Sequence, residues 1–282
     1  MSIEFAKMQG LGNDFIIIDN RKYNFSEEKL QKLAAGLCIR RLSLGADGLM
    51  AVENSENTDF MMKYYNSDGS VGEMCGNGAR CIIRYAYENK IGQEEMTVET
   101  ISGILKGKII SKRKVSVRLN EPTIINLDQI VSIKDKVYNF SYVELGSPGL
   151  PHCMYEDNDL EKKDLNKLKV LAKNLRYSDK FPKGANVNFY KINKDGSVVI
   201  KTYERGVEDF TLACGTGAAS TALTVYIKKL VNNNKIQLKA SGGELEVEVV
   251  KKENGYDLYL IGDTNMVAKG LILDEDLNIG DE

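Results

Sequence analysis

Two cysteines, Cys75 and Cys214, each stand at the head of a Gly-x-Gly-Ala step: Met74-Cys75-Gly76-Asn77-Gly78-Ala79-Arg80 and Ala213-Cys214-Gly215-Thr216-Gly217-Ala218-Ala219. This pattern is expected to set a thiol at a helix start. There the unpaired backbone N–H groups and the positive end of the helix dipole, about half a unit charge, stabilise a thiolate or a bound carboxylate. Glycines at 76, 78, 215 and 217 let a ligand approach the backbone with no Cβ in the way. One such motif alone is as readily a small buried thiol beside tight helix packing. Two copies make a different case. A thiolate as base and a thiol as acid, exchanging roles with direction, is what inversion at a Cα–H centre needs. A substrate carboxylate between two helix N-termini would also be stabilised as the carbanion forms. The chemistry expected is racemisation or epimerisation.

The two copies belong to a longer repeat. The cysteines are 139 positions apart (214 − 75), and the same offset carries Asn13 to His152, Gly45-Ala46-Asp47 to Gly184-Ala185-Asn186, and Ser102-Gly103 to Ser241-Gly242. Lys63 and Tyr65 map to Lys201 and Tyr203 at 138. A fixed long offset over separate landmarks reads as a duplicated domain, so a pseudo-twofold axis is expected to bring the thiols to an interdomain cleft.

Polar residues near the motifs supply recognition. Glu204 suits a substrate ammonium, and Arg205 suits a carboxylate held in a two-pronged clamp. Asn13, Asn66, Asn77 and Asn186 offer donors and acceptors, although an asparagine before Gly or Asp is commonly a turn residue. His152 is the only histidine, which excludes a histidine-based metal cluster; its offset relation to Asn13 suggests a pocket position. Cys38, Cys81 and Cys153 read as core or bystander thiols. The five cysteines include no C-x-x-C pair and are odd in number, so neither a zinc site nor a disulfide framework is expected, and the thiols should be reduced.

The elements that must position these residues are legible in outline. Gly10-Leu11-Gly12-Asn13-Asp14 is a loop leading into the strand Phe15-Ile16-Ile17-Ile18, without the third glycine of a dinucleotide fingerprint. Ser26 caps an amphipathic helix with Leu30, Leu33, Ala34 and Leu37 inward; its counterpart runs from Asp164 to Leu175 with Leu165, Leu168, Leu171 and Ala172. Strands at 60–65 and 198–203 lead through turns into the motifs, followed by helices at about 76–89 and 215–230 and then by meandering strands at 96–119 and 236–260. The division this implies is residues 1–120 plus a C-terminal strand in 263–282 as one domain, and 121–262 as the other.

Composition sets the outer bounds. At 282 residues, 43% hydrophobic and 28% charged, the chain suits two ordinary globular domains. A net charge of −2 with interleaved signs supplies no basic field for a nucleic acid. No stretch approaches the roughly 18 apolar residues of a membrane span, and no leader precedes the first strand, so a cytoplasmic protein is expected.

The motifs resemble those of the diaminopimelate epimerase family, two-cysteine enzymes that work without pyridoxal phosphate. The matching runs are Met8-Gln9-Gly10-Leu11-Gly12-Asn13-Asp14-Phe15, Gly45-Ala46-Asp47-Gly48-Leu49, Asn66-Ser67-Asp68-Gly69-Ser70, Glu73 through Cys81, Glu204-Arg205-Gly206 and Leu212 through Ala218. The resemblance implies two α/β (α+β) domains, each a β-barrel-like sheet around a central helix. It implies Cys75 and Cys214 as the acid and base pair, with Asn13, Asn66, Asn186, Glu204 and Arg205 on the substrate's amino and carboxylate groups. Gly76-Asn77 and Gly215-Thr216 would bind the reacting carboxylate. It further implies a small amino-acid substrate, no cofactor, no metal and a homodimer. One departure is Gly149-Leu150-Pro151-His152, where the family commonly has Gly-Asn-Pro-His; leucine cannot make the amide hydrogen bonds of that asparagine. The alternatives are a racemase for another amino acid, such as histidine, and a non-catalytic carboxylate-binding module.

Overall fold

The structure is a computed structural model, and it describes residues 2–72, 75–133 and 136–273. Glu73 and Met74 of the first cysteine motif, and 274–282 of the expected C-terminal segment, lie outside the described residues. The chain divides into two compact units, Met1–Val117 with Gly262–Glu282, and Arg118–Ile261.

The first unit contains β1 (Ile3–Gly10), β2 (Asn13–Asp19), α1 (Glu27–Leu37), β3 (Gly48–Glu53), β4 (Phe60–Asn66), α2 (Gly76–Glu88), β5 (Glu95–Thr100), β6 (Gly103–Ile109) and β7 (Lys114–Arg118). The second contains β8 (Pro122–Ile133), β9 (Lys136–Leu145), β10 (Leu150–Glu156), α3 (Leu165–Arg176), β11 (Asn186–Ile192), β12 (Val198–Tyr203), α4 (Gly215–Ile227), β13 (Lys235–Ala240), β14 (Gly243–Lys252) and β15 (Gly255–Asp263). The last strand, β16 (Asn265–Ile272), returns to the first unit and pairs antiparallel with β1.

Both units repeat one plan. The strand order is β16-β1-β2-β3-β4-β5-β6-β7 in the first and β8-β9-β10-β11-β12-β13-β14-β15 in the second. In each, two neighbouring pairs are parallel: β2 with β3 and β4 with β5, then β10 with β11 and β12 with β13. These are the pairs separated in sequence by a helix, because a parallel return needs a crossover where an antiparallel one needs only a turn. The cysteine-headed helices are buried as expected, α2 from Gly76 through Ala86 and α4 over most of its length. The sheets themselves stay open: among the described residues the end strands of neither unit pair with each other, so the barrel-like description holds for the wrapping and not for closure.

The caps and stripes follow local physics. Ser26 Oγ accepts the Lys29 N–H at 3.2 Å, and Asp164 accepts from the Asn166 and Lys167 N–H groups. Each cap satisfies donors that the first helical turn leaves unpaired. α1 buries Leu30, Leu33, Ala34 and Leu37, as its spacing requires. In α3 the buried set is Leu168, Ala172 and Leu175, with Leu171 partly buried; Leu165, expected inward, is exposed because it is the first helical residue.

The constant offset does not survive in detail. Phe15 pairs with Gly48 across β2 and β3, whereas His152 pairs with Asn186 across β10 and β11, a separation of 33 against 34. The equation of Asn13 with His152 therefore fails to carry through the strand register. In the hairpins, Thr100 closes on Gly103 and Ala240 on Gly243, both glycines at positive φ. Gly103 thus corresponds to Gly243, one residue beyond the expected Gly242.

Candidate active site

Cys75 and Cys214 are the N-caps of α2 and α4. Their backbones are extended and nearly alike, φ −110° and ψ 121° against φ −115° and ψ 111°. Each carbonyl accepts the first helical hydrogen bond, from Ala79 at 2.8 Å and from Ala218 at 2.9 Å. Both thiols are half-buried, unlike those of Cys38, Cys81 and Cys153, which are buried. Burial pushes the Cys38 and Cys81 thiols up to about 12 and raises that of Cys153 further, so all three stay protonated at neutral pH.

Around Cys75, the Sγ donates to Asn13 Oδ1 at 3.3 Å. The Asn13 amide is fixed from behind, since its Nδ2 donates to Asp47 Oδ2 at 2.6 Å. Asp47 also accepts the Asp14 N–H at 3.0 Å. Arg40 donates to Asp14 at 2.6 Å and to Asp47 at 2.9 Å, and Lys7 lies 2.9 Å from Asp14. Burial works to raise the Asp14 carboxyl, but hydrogen bonds and charge from Arg40 and Lys7 outweigh it and hold the group below the usual carboxylate range. Gly45 sits at φ +66°, where an added Cβ would fall 2.9 Å from Arg40 Cα. Only glycine fits a left-handed position so close to backbone.

Asn66 and Asn77 are engaged within the first unit. Asn66 donates its Nδ2 to Ser70 Oγ at 2.9 Å and its N–H to the Ser70 carbonyl at 2.9 Å, closing the turn after β4. Asn77 is buried, and its Oδ1 accepts from Arg80 Nη2 at 2.7 Å. What Gly76 and Asn77 leave for a ligand is backbone N–H at the helix start.

In the second unit, the Gly217 N–H donates to Cys214 Sγ at 3.4 Å, and Thr216 Oγ1 lies 3.5 Å from the same sulfur. Glu204, just beyond β12, takes the Thr211 hydroxyl at 2.5 Å and a hydrogen bond from Cys214. Burial raises its carboxyl despite those two donors. Asn186 Oδ1 accepts the Arg205 N–H at 2.8 Å while its Nδ2 donates to the Pro151 carbonyl at 3.2 Å. The Arg205 side chain donates to the Lys183 carbonyl at 3.1 Å. Gly215 is buried at the first position of α4.

His152 is fully buried in β10. Its Nδ1 faces Asn188 Nδ2 at 3.3 Å, and burial followed by the nearby Arg205 charge lowers it to about 3, so the ring is neutral. Leu150, at the departure from the family pattern, opens β10 opposite Leu145.

The structure thus joins Cys75 with Asn13, Cys214 with Thr216 and Glu204, and Asn186 with Arg205. It adds residues that the spacing did not single out: Asp47 and Arg40, Thr211, Asn188 and Arg80. Asp47 was within reach, as the third residue of the repeated Gly45-Ala46-Asp47 landmark. Arg40 and Thr211 carried no signal, because their contacts with Asp14, Asp47 and Glu204 are made through loops whose paths the spacing does not fix.

The fold of two repeated α/β units is shared with solved proteins. A phenazine biosynthesis protein of the PhzF family from Bacillus anthracis superposes with a TM-score of 0.73 at 16% identity, covering 97% of this chain and 99% of that one. A hydroxyproline epimerase from Agrobacterium vitis gives 0.68 at 13% identity, covering 98% of this chain and 94% of that one. At those identities the likeness is one of fold. The diaminopimelate epimerase family model matches residues 5–125 and 146–267. Diaminopimelate epimerases of Aquifex aeolicus and a Hydrogenobaculum species are 35% and 37% identical, covering 97% and 95% of this chain and 99% and 97% of their own lengths. The chain belongs to the diaminopimelate epimerase family.

Proposed function

We propose that the protein interconverts LL- and meso-2,6-diaminopimelate, using Cys75 and Cys214 as a base and acid pair. The observation that carries the reading is the matched pair of half-buried thiols capping α2 and α4, in a chain related over nearly its full length to enzymes of that name. In the reaction, one thiolate removes the Cα proton and the other thiol returns a proton to the opposite face. Atoms and charge balance within the two sulfurs and the substrate, so the chain's own groups suffice and no cofactor is invoked. The substrate carboxylate would take the N–H groups at Gly76-Asn77 and Gly215-Thr216, which also stabilise charge spreading from Cα onto that carboxylate. Glu204 would take the substrate ammonium, and Arg205 with Asn13, Asn66 and Asn186 would hold polar groups of the rest of the molecule. A homodimer in the cytoplasm completes the proposal, and light scattering on the purified protein checks the dimer.

The test is incubation with candidate amino acids in D₂O with the thiols kept reduced. Deuterium should enter Cα of diaminopimelate. Entry into histidine or another amino acid alone would replace the substrate, a choice to which Leu150 gives point. No incorporation into any of them would leave only a carboxylate-binding module.

A further inference from the structure

Arg80 is a wholly buried guanidinium with no carboxylate partner among the described residues. Its Nη1 donates to the Gly76 carbonyl at 3.2 Å and its Nη2 to Asn77 Oδ1 at 2.7 Å, while Nε has no partner among the described residues. The group packs under β1, where a Cβ on Gly10 would stand 3.6 Å from Nη2. Burying a cation without a counter-charge is costly, and proteins tolerate it where the charge is used.

Among the described residues, the groups that can answer this charge are few. Cys75, Cys81 and Asp263 are its anionic or ionisable neighbours. Cys81 is fully buried and its thiol is pushed up to about 12, and Asp263 is exposed to solvent. Cys75 is left as the site where ionisation would place a negative charge near the guanidinium. Facing Cys75 from other elements are Tyr64, whose phenol burial raises and keeps neutral, and Asn13, backed by Asp47. Asp47 is already matched by Arg40 at 2.9 Å. The Asn13 carbonyl oxygen opposes ionisation, but it is a dipole set against a full buried charge.

The second unit reverses the arrangement. The residue at the offset of 139 from Arg80 is Ala219, and the first turn of α4 carries no charge (219 − 80). The Glu204 carboxylate faces Cys214 and takes the thiol's hydrogen bond. The neighbouring Arg205 spends its guanidinium on the Lys183 carbonyl. A nearby carboxylate disfavours a thiolate just as a buried cation favours one.

We propose that Arg80 is a positioning residue whose buried charge makes Cys75 the thiolate at rest, while Glu204 keeps Cys214 a thiol. The resting enzyme is then charged for one direction of inversion and must exchange protons before it runs the other. The catalytic consequence rests on the two-cysteine reading, but the protonation asymmetry is measurable without turnover.

The experiment is iodoacetamide alkylation of the substrate-free protein from pH 5 to 10, with each cysteine peptide quantified by mass spectrometry. Cys75 should alkylate with a midpoint at least one pH unit below that of Cys214, about a tenfold difference in rate at neutral pH. Arg80→Met should raise the Cys75 midpoint and leave that of Cys214 unchanged, whereas Arg80→Lys, which keeps the charge, should retain most of the depression. Glu204→Gln should lower the Cys214 midpoint. Equal midpoints in the unsubstituted protein, or a lower one at Cys214, would overturn the proposal even if Arg80→Met fails to fold. An unchanged Cys75 midpoint in a folded Arg80→Met protein would overturn Arg80 as the cause. Failure of deuterium incorporation with the asymmetry intact would instead sink the epimerase reading.

Discussion

At the scale of single residues, the proposed chemistry rests on two sulfurs and the groups that face them. Replacing Cys75 or Cys214 by alanine should each reduce turnover by at least a thousandfold in a coupled epimerase assay, since one remaining base cannot deliver a proton to the opposite face. Cys38→Ala and Cys153→Ala should leave turnover within a few-fold of the parent, because those thiols are buried and protonated. Asp47→Ala is the sharper test of geometry. It frees the Asn13 amide that Asp47 fixes at 2.6 Å, and about ten- to a hundredfold in kcat/KM should go with it, with little change in stability at this partly exposed site. Cysteine types, glycine spacing and the Glu204-Arg205 pair were legible in the sequence. Asp47 showed only as part of a repeated landmark, and Arg40 not at all, because an outer layer of support is assembled from residues that only the fold makes neighbours.

At the scale of elements, the cysteine helices depend on how closely their first turns approach the strands beneath. An added Cβ at Gly217 would fall 2.3 Å from Asn188 Oδ1. That amide oxygen accepts from Thr202 at 2.8 Å, and the amide nitrogen faces His152 and the Cys153 carbonyl. Gly217→Ala should therefore cost about 1–3 kcal/mol in urea unfolding, the range for forcing extra volume into a packed core, and should lower activity by displacing α4. Ser26→Ala removes one cap hydrogen bond from α1 and should cost about 1 kcal/mol with activity retained. Helix starts were well read from the sequence, because a cap is a local event. Registers were read less well. The separations of 33 and 34 across equivalent parallel strands come from loops of different length, and an offset anchored on the cysteines cannot resolve them.

At the scale of the whole molecule, one buried group should shape stability against pH. The only histidine, His152, is lowered from 6.5 to about 3, chiefly by burial. The folded state therefore prefers the neutral ring. Its contribution is complete above 6.5 and is lost as pH falls from there toward 3, at about 1.4 kcal/mol per unit. From pH 7 to pH 5 the protein should lose about 2 kcal/mol from this source. Glu204, raised by burial, acts with the opposite sign as it takes up a proton. The difference between parent and His152→Gln in urea midpoints at the two pH values isolates the histidine. A parallel fall in both proteins would refute the assignment.

The return of β16 to β1 has a consequence for how the chain is made. Ile3 is partnered by Ile272, so the first unit is not finished until residue 272 has left the ribosome, whereas the second is encoded without interruption. Closing so distant a contact is entropically modest but kinetically slow. In the interval β1 offers an unpaired edge to any strand that meets it. During synthesis β1 is exposed from early on, and the strand that protects it follows only after the whole second unit has been made.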